Sequence, residues 1–236
     1  MLRRSLFVAL LALSVAPSCA DAAGRAGGLP ADDVGRVATV QSDHALPSNT
    51  LADWRTYGMH LVTVTAIGED ALPVQPAFEE VGEGSIDRTV DLRIDEVHWS
   101  AEGAWGASIP LPRRITMVAE GWIFGEYGRR PIREAGGTRL EVGARYVLLF
   151  TQMSPDVVSS TTGEPWAILL PHGALALVEG EVTVPPDNPL AGDLDGRTPA
   201  EIADLLRSAK VVPAAEPYLD LPPFDRYLVA TGQARE

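Results

Sequence analysis

The sequence predicts a mainly β protein: a small antiparallel β-barrel, followed by one C-terminal helix and a proline-rich tail. Three observations indicate this fold class. Short segments with an apolar residue at every second position recur from residue 54 onward, and glycine or proline separates them. Helix signals are scarce before residue 198. Several such strands without intervening helices favour a sheet that closes or nearly closes on itself, because closure removes exposed strand edges.

Composition limits the classes of function. The chain has 236 residues, of which 46% are hydrophobic, so one domain with a substantial core is expected. Its formal net charge of −13 argues against a nucleic-acid partner, because such binding needs basic residues that release counterions from phosphates. Cys19 is the only cysteine, which excludes a disulfide framework and a thiolate zinc site.

The first twenty residues have the pattern of an export signal. Two arginines precede the uncharged apolar run 6–15, which is too short to span a bilayer, and small residues follow it. We therefore expect an exported protein that is extracellular or held at the outer face of the cell membrane. Residues 1–20 are assigned to the export signal. Residues 21–53, rich in alanine, glycine and polar side chains, are assigned to a flexible tether.

Two processing routes fit this leader. The segment 16–19 (APSC) resembles a bacterial lipobox, in which Cys19 is acylated and anchors the protein to the membrane. Cleavage after Ala20 or Ala22 instead satisfies the small-x-small rule of ordinary signal peptidase, and would release the protein without an anchor. The sequence leaves both routes open.

The predicted barrel spans residues 54–184 and holds five or six strands. The segment 146–150 is continuously apolar, as expected of a strand that is buried on both faces or closes a barrel. The turn 171–173 is a hairpin candidate. The strands are predicted at 60–66, 89–99, 115–124, 146–150, 166–170 and 175–184.

The strand at 89–99 carries a phase slip. Its apolar side chains alternate as far as Ile94 and then continue one residue late, at Val97 and Trp99. A slip of one residue moves every following side chain to the other face. A β-bulge near 95–96 is therefore needed if both apolar sets face the same core.

The C-terminal part begins with an acidic loop and a helix in residues 185–212. Thr198 and Glu201 form a capping box, with proline at the first helical position, which predicts a helix at 199–209. Residues 213–236 contain four prolines between aromatic residues. This tail is predicted either to cross the body through its aromatic side chains or to be partly disordered.

Three of these segments carry a resemblance to a known family. The segments 61–65 (LVTVT), 89–99 and 140–149 (LEVGARYVLL) resemble the netrin/tissue-inhibitor-like group of OB-fold modules, and are similar to uncharacterised secreted proteins of high-G+C bacteria. The resemblance covers about 57–184 and implies an OB-like β-barrel. The chain lacks the cysteines that staple the animal members, so protease inhibition is not carried over.

Aromatic residues provide the candidate ligand face. OB-type barrels bind ligands on a face that displays aromatic side chains, and Trp99, Trp105 and Trp122 are the candidates for such a face. The alternative is that Trp99 and Trp122 fill the core and Trp105 caps the barrel end. The arginines in 129–133 form a local positive cluster that either meets anionic headgroups or wall polymers, or balances an acidic surface.

No catalytic chemistry is predicted. Hydrolase and phosphate-loop motifs do not occur, and His60 and His98 have no third metal ligand, so no metal, cofactor or catalytic residue is assigned. The leading hypothesis is an exported, non-enzymatic β-barrel module of the cell envelope that binds or scaffolds an unknown envelope protein or polymer. The alternatives are a secreted enzyme of unrecognised type and a freely secreted inhibitor-like module.

Overall fold

The computed structural model describes residues 37–42, 46–102, 110–126, 128–153 and 165–233. The export signal with its lipidation candidate Cys19, and the ligand-face candidate Trp105, lie outside these residues.

The described residues contain nine strands in one curled, open sheet. Their order across the sheet is β1-β5-β4-β3-β2-β6-β8-β9, with β7 also paired to β6. All pairs are antiparallel except β1 and β5, which are parallel. The mainly β prediction is confirmed, but the sheet is an open half-barrel. The strands are β1 (Ala38–Val40), β2 (His60–Ala71), β3 (Gly84–Ser100), β4 (Arg114–Gly125), β5 (Gly128–Glu134), β6 (Arg145–Gln152), β7 (Trp166–Ile168), β8 (Ala174–Val178) and β9 (Glu181–Thr183).

The strand predicted at 175–184 is a hairpin of β8 and β9. Val178 pairs with Glu181, so the turn has two residues, Glu179 and Gly180. Both have positive φ, 53° and 95°, as a type I′ turn requires. Glutamate at the first position gives no turn signal, and the sequence therefore reads as one continuous strand.

The bulge predicted in β3 is present at Asp95, which is an extra residue opposite β2. It keeps Val97 on the same face as Ile94. A second bulge, at His98, then carries Trp99 to the opposite face. The expectation that Trp99 shares a core with Ile94 is therefore wrong, because the two slips cancel.

The sheet has a separate core on each face. The inner core contains Val62, Val64, Leu92, Leu148 and Phe150, among others. The outer core lies between the sheet and the helices and contains Leu61, Trp54, Leu149, Leu194 and Leu206, among others. Strand β6 supplies side chains to both cores, in agreement with the prediction of a strand buried on both faces.

Five α-helices are described: α1 (Leu51–Tyr57), α2 (Pro76–Val81), α3 (Ala191–Leu194), α4 (Pro199–Ser208) and α5 (Pro223–Ala230). Helix α4 and its capping box are confirmed. The Thr198 Oγ1 accepts a hydrogen bond from the Glu201 backbone N–H, and the Glu201 carboxylate accepts one from the Thr198 N–H. No helix in the described part of the chain is long and apolar enough to cross a membrane.

Strand β1 lies inside the range predicted as a tether, 21–53, and helix α1 begins in that range. Thr50 and Asp53 cap α1 reciprocally, with N···O distances of 3.0 Å and 2.9 Å. Trp54 is fully buried in the outer core, and its indole N–H donates to the Ser48 carbonyl at 3.1 Å. A three-residue strand and a seven-residue helix are too short to show a clear period, so the sequence pattern does not reveal them.

Residues 213–233, predicted to belong to a proline-rich tail, contain a 3-10 turn (Glu216–Tyr218) and helix α5. The Tyr227 ring meets the Tyr57 ring edge-on, with centroids 5.9 Å apart. The buried guanidinium of Arg226 fastens this segment by donating to the carbonyls of Thr56, Tyr218, Leu219 and Leu221.

Candidate functional site

A cavity of about 470 Å³ opens at the end of β5. This volume suits a small-molecule ligand or a short polymer unit. The cavity is formed where loops from distant parts of the chain meet. Its lining residues are Gln41 and Ser42 after β1, Leu46 to Asn49 before α1, Glu134 and Ala135 at the end of β5, Pro171 and His172 before β8, Asp187 and Pro189 after β9, and Tyr227 of α5.

His172 and Ser48 form the polar floor of this cavity. His172 is 8% exposed and Ser48 is 1% exposed. The Ser48 hydroxyl lies 3.0 Å from the Leu170 carbonyl and 3.0 Å from Nδ1 of His172. Nδ1 also lies 3.2 Å from the Ser48 carbonyl. A carbonyl only accepts, so the hydroxyl donates to Leu170, and Nδ1–H of His172 donates to both Ser48 oxygens.

The positions of these two protons decide what the pair can do chemically. A serine nucleophile needs an imidazole lone pair to take its hydroxyl proton, and it needs access to substrate. Here the hydroxyl proton points to a carbonyl, the facing imidazole nitrogen carries a hydrogen, and Ser48 is buried. The pair therefore holds the cavity floor in shape and does not form a nucleophile.

The N-terminal segment makes one wall of the cavity. Strand β1 adds to the edge of β5, with Val40 opposite Glu134, and the Ala135 N–H donates to the Val40 carbonyl at 2.8 Å. This pairing brings Ser42 to the Glu134 carboxylate, which accepts its hydroxyl at 2.6 Å. Glu134 is 6% exposed, so β1 and its continuation help to bury this carboxylate.

Asp187 lies at the rim of the cavity and stays ionised. Burial alone would raise the pKa of Asp187, but the Gly136 backbone N–H at 3.0 Å and the Arg133 guanidinium at 3.1 Å outweigh it and lower the pKa. Gly136 itself has φ of +70°, and a Cβ there would lie 2.8 Å from two atoms of the His172 ring. Glycine is therefore required for the loop to pass this close to His172.

The structure places two of the predicted ligand-face tryptophans, Trp99 and Trp122, in different parts of the sheet. Trp99 is 5% exposed in the outer core, and the Arg55 guanidinium lies 5.4 Å from its ring centroid. Trp122 is half-buried on β4, pairs with the opposite end of β3, and carries the Arg139 guanidinium 5.3 Å from its ring centroid. Trp105 is outside the described residues, so the aromatic ligand face stays a prediction.

The two strand histidines lie on opposite faces of the sheet. His60 packs against Trp166 on the inner face, with ring centroids 5.2 Å apart. Nε2 of His98 lies 2.7 Å from the Thr63 hydroxyl oxygen on the outer face, and the two atoms share a hydrogen bond. Within the described ranges, no three His, Cys, Asp or Glu side chains are placed to hold a metal ion.

Of the arginine cluster predicted at 129–133, one residue lies at the cavity. Arg133 pairs with Asp187 at the cavity rim, 3.1 Å away, while Arg129 is exposed on β5. The remaining cavity residues were missed because no spacing connects them. Ser48 and His172 are 124 positions apart, and only the turn signal around His172 marked that place in the chain.

No protein-family model, curated protein or solved structure matches the chain. Function must therefore be inferred from the site itself rather than from a relative.

Proposed function

We propose that the chain is an exported, non-enzymatic binding module of the cell envelope, and that the cavity at the end of β5 is its ligand site. The cavity itself carries this proposal, because it combines an adequate volume with buried polar groups from distant segments. A secreted enzyme is the alternative, and the Ser48–His172 geometry disfavours it. The buried Ser48 hydroxyl donates its proton to a carbonyl and faces a protonated imidazole nitrogen, so this pair does not supply a nucleophile with its base.

The cavity chemistry favours a polar ligand. The Glu134 and Asp187 carboxylates are hydrogen-bond acceptors, while Ser42 and Asn49 offer a hydroxyl and an amide. Tyr227 adds an aromatic surface from α5. Groups of this kind recognise peptide or sugar units, so the proposed partner is an envelope protein or polymer that presents such a unit.

Export and anchoring belong to the same proposal. If Cys19 is acylated, the spacer to β1 is residues 20–37, and a flexible spacer of that length reaches roughly 20–25 Å by the square-root law. Because Gln41 and Ser42, directly after β1, line the cavity, a membrane anchor would hold the cavity close to the surface. Cleavage after Ala20 or Ala22 would give a freely secreted module with the same cavity.

An OB-like origin of the sheet is also part of the proposal. Its support is the antiparallel meander of β2, β3 and β4, with β6 added beside β2. The netrin/tissue-inhibitor-like resemblance gives the proposed fold family. No residue supports inhibition of a protease.

Sedimentation with cell envelopes tests the binding role. The full chain is mixed with a total envelope preparation and, separately, with purified wall sacculi. We expect it to pellet with the envelope, and the sacculi distinguish a polymer from a protein partner. Asn49→Trp, which fills the cavity mouth from an exposed position, should abolish pelleting. Gln75→Trp adds the same bulk at an exposed site before α2 and should not. Equal pelleting of both variants, or none by the parent chain, contradicts the proposal.

Fractionation with mass spectrometry of the mature N-terminus tests export. An acylated Cys19 in the membrane fraction supports the anchored form, and a soluble chain that begins at Asp21 or Ala23 supports the secreted form. An unprocessed chain in the cytoplasm contradicts both.

A further inference from the structure

Four side chains form a row across the outer face of the sheet. Arg145 of β6 lies directly opposite Thr65 of β2, Thr65 opposite Arg93 of β3, and Arg93 opposite Arg114 of β4. Directly opposed residues in a sheet share a face. Four neighbouring strands place the ends of this arginine row about 14 Å apart. The three arginines come from distant parts of the sequence, and only the strand register brings them together.

The arginine row is open to solvent. The Arg93 and Arg145 side chains are 51% and 55% exposed, and Arg114 is exposed as well. One carboxylate, Asp95, lies within the row. It pairs with Arg93 at 2.8 Å and Arg145 at 3.9 Å, and accepts the Thr65 hydroxyl at 2.6 Å. Burial alone would raise the pKa of Asp95, but the Thr65 hydrogen bond and the two arginines outweigh it and lower the pKa.

Arg93 and Arg114 are the unusual pair. Like charges directly opposite each other on neighbouring strands destabilise a sheet. Arg93 uses Nε for Asp95 and one terminal nitrogen for Thr65, and among the described residues its other terminal nitrogen has no partner. In the described part of the chain no ion pair reaches Arg114. Asp91, the next carboxylate along β3, accepts the Thr116 hydroxyl at 2.6 Å.

Packing does not explain this arrangement. The chain has 32 acidic residues against 19 basic ones, so an acidic partner for Arg114 would be easy to supply. Instead, Arg114 stands directly opposite Arg93 in the strand register, and both side chains are exposed where none of the described helices covers the sheet. An oxyanion between them would remove the repulsion and satisfy the free N–H groups.

We propose that Arg93 and Arg114 hold a phosphate group between them, with Arg145 and Thr65 extending the site along the row. Phosphate is favoured because guanidinium forks match its oxygens, and a terminal phosphate has three free oxygens and up to two negative charges to share between two arginines. The site is separate from the cavity and does not depend on it. The phosphate is therefore a terminal one, carried either by a free phosphate compound or by a lipid headgroup.

Calorimetry with defined probes tests the proposal. The full chain is titrated at low salt with tripolyphosphate, and with citrate as a carboxylate of similar charge. Vesicles that contain phosphatidic acid, a lipid with a terminal phosphate, form a third arm. We expect tripolyphosphate to bind with an affinity that falls as salt rises, and citrate to bind more weakly. Arg93→Gln and Arg114→Gln should each weaken binding roughly tenfold, because each removes charge-assisted hydrogen bonds. Arg129→Gln, a matched change at an exposed arginine of β5, should leave it unchanged.

The outcomes separate cleanly. Binding to vesicles but not to tripolyphosphate assigns the phosphate to a lipid, and the reverse assigns it to a free phosphate compound. Both support the site if Arg114→Gln weakens binding, and failure of both probes to bind overturns the proposal. Equal binding of citrate, or no change in Arg114→Gln, overturns the proposal. A thermal melt without phosphate tests the alternative that the arginine row only stabilises the fold. We expect Arg114→Gln to melt at the same temperature or higher, and a lower melting temperature would make the row structural.

Discussion

One half of the sheet's outer face is apolar and covered by helices, and the other half is polar and bare. In the covered half, Leu61 and Leu149 contact the outer core under α1 and α4. In the bare half the same two strands present Thr65 and Arg145, with Arg93 beside them. The strands run continuously from one half to the other, so backbone geometry does not make the difference.

The difference shows that residue type decides which part of the outer face packs against helices and which part stays exposed. Apolar side chains at outward positions attract helices because burying them removes apolar surface from water. Where outward positions turn polar, none of the described helices packs on the sheet, and the side chains are exposed to solvent. The cavity lies where the loops before α1 and α3 meet the end of β5.

The largest effect should come from breaking the covered half. Trp54→Ala removes a fully buried side chain and its hydrogen bond to Ser48, and should lower the free energy of unfolding by about 3–5 kcal/mol. Urea denaturation measures this. Val118→Ala truncates an apolar residue of the bare half, 37% exposed, and should cost less than about 1 kcal/mol. Similar losses for both would remove the distinction between the halves.

The next effect concerns the cavity floor. Gly136→Ala places a methyl group 2.8 Å from the His172 ring at a positive φ, and should cost about 2–3 kcal/mol. Gly196→Ala is the matched control, because its φ is +74° and a Cβ there meets nothing within 4 Å. Its cost should be about 1 kcal/mol, from backbone strain alone. If the two variants unfold at the same urea concentration, His172 does not constrain this loop.

Periodicity made one part of the fold predictable. The alternation in β2 and β3, the bulge at Asp95 and the capping box of α4 all follow from neighbouring residues, and each is confirmed. The second bulge, at His98, has no local signal. It depends on Trp99 reaching the outer core, which is a tertiary contact.

The candidate sites were not predictable for the same reason. Ser48 and His172 meet only because two loops that are 124 positions apart in the sequence converge. Arg93 and Arg114 meet only because the register of β3 and β4 opposes them. A sequence shows residues that are near along the chain or related by a period, and these pairs are neither.

A smaller effect is expected at the start of α4, which covers the outer core. Thr198→Ala removes the side-chain acceptor for the Glu201 N–H and should cost about 1 kcal/mol. Thr198→Ser keeps the hydroxyl and should restore most of that loss. A thermal melt of the three proteins measures it. An alanine variant as stable as the parent would show that packing alone fixes this helix.

The smallest effect should appear on acidification. Burial lowers the pKa of His60 below its usual 6.5. The unfolded chain therefore takes up the proton first, so the unfolding free energy should fall as pH drops below about 6.5. His98, whose pKa burial also lowers, should act in the same direction. In His60→Gln, the slope of unfolding free energy against pH between 7 and 5 should become shallower. An unchanged slope would show that His60 makes no contribution.

The most direct test of the central claim is to locate where small polar ligands bind. The full chain, labelled with nitrogen-15, is screened by NMR against a library of short peptides and sugar fragments. We expect the shifted amides to cluster around Ser48, Glu134, His172 and Asp187, and to lose their response in Asn49→Trp but not in Gln75→Trp. Ligands that bind elsewhere, or no shift at these four residues, would contradict the assignment of this cavity as the binding site.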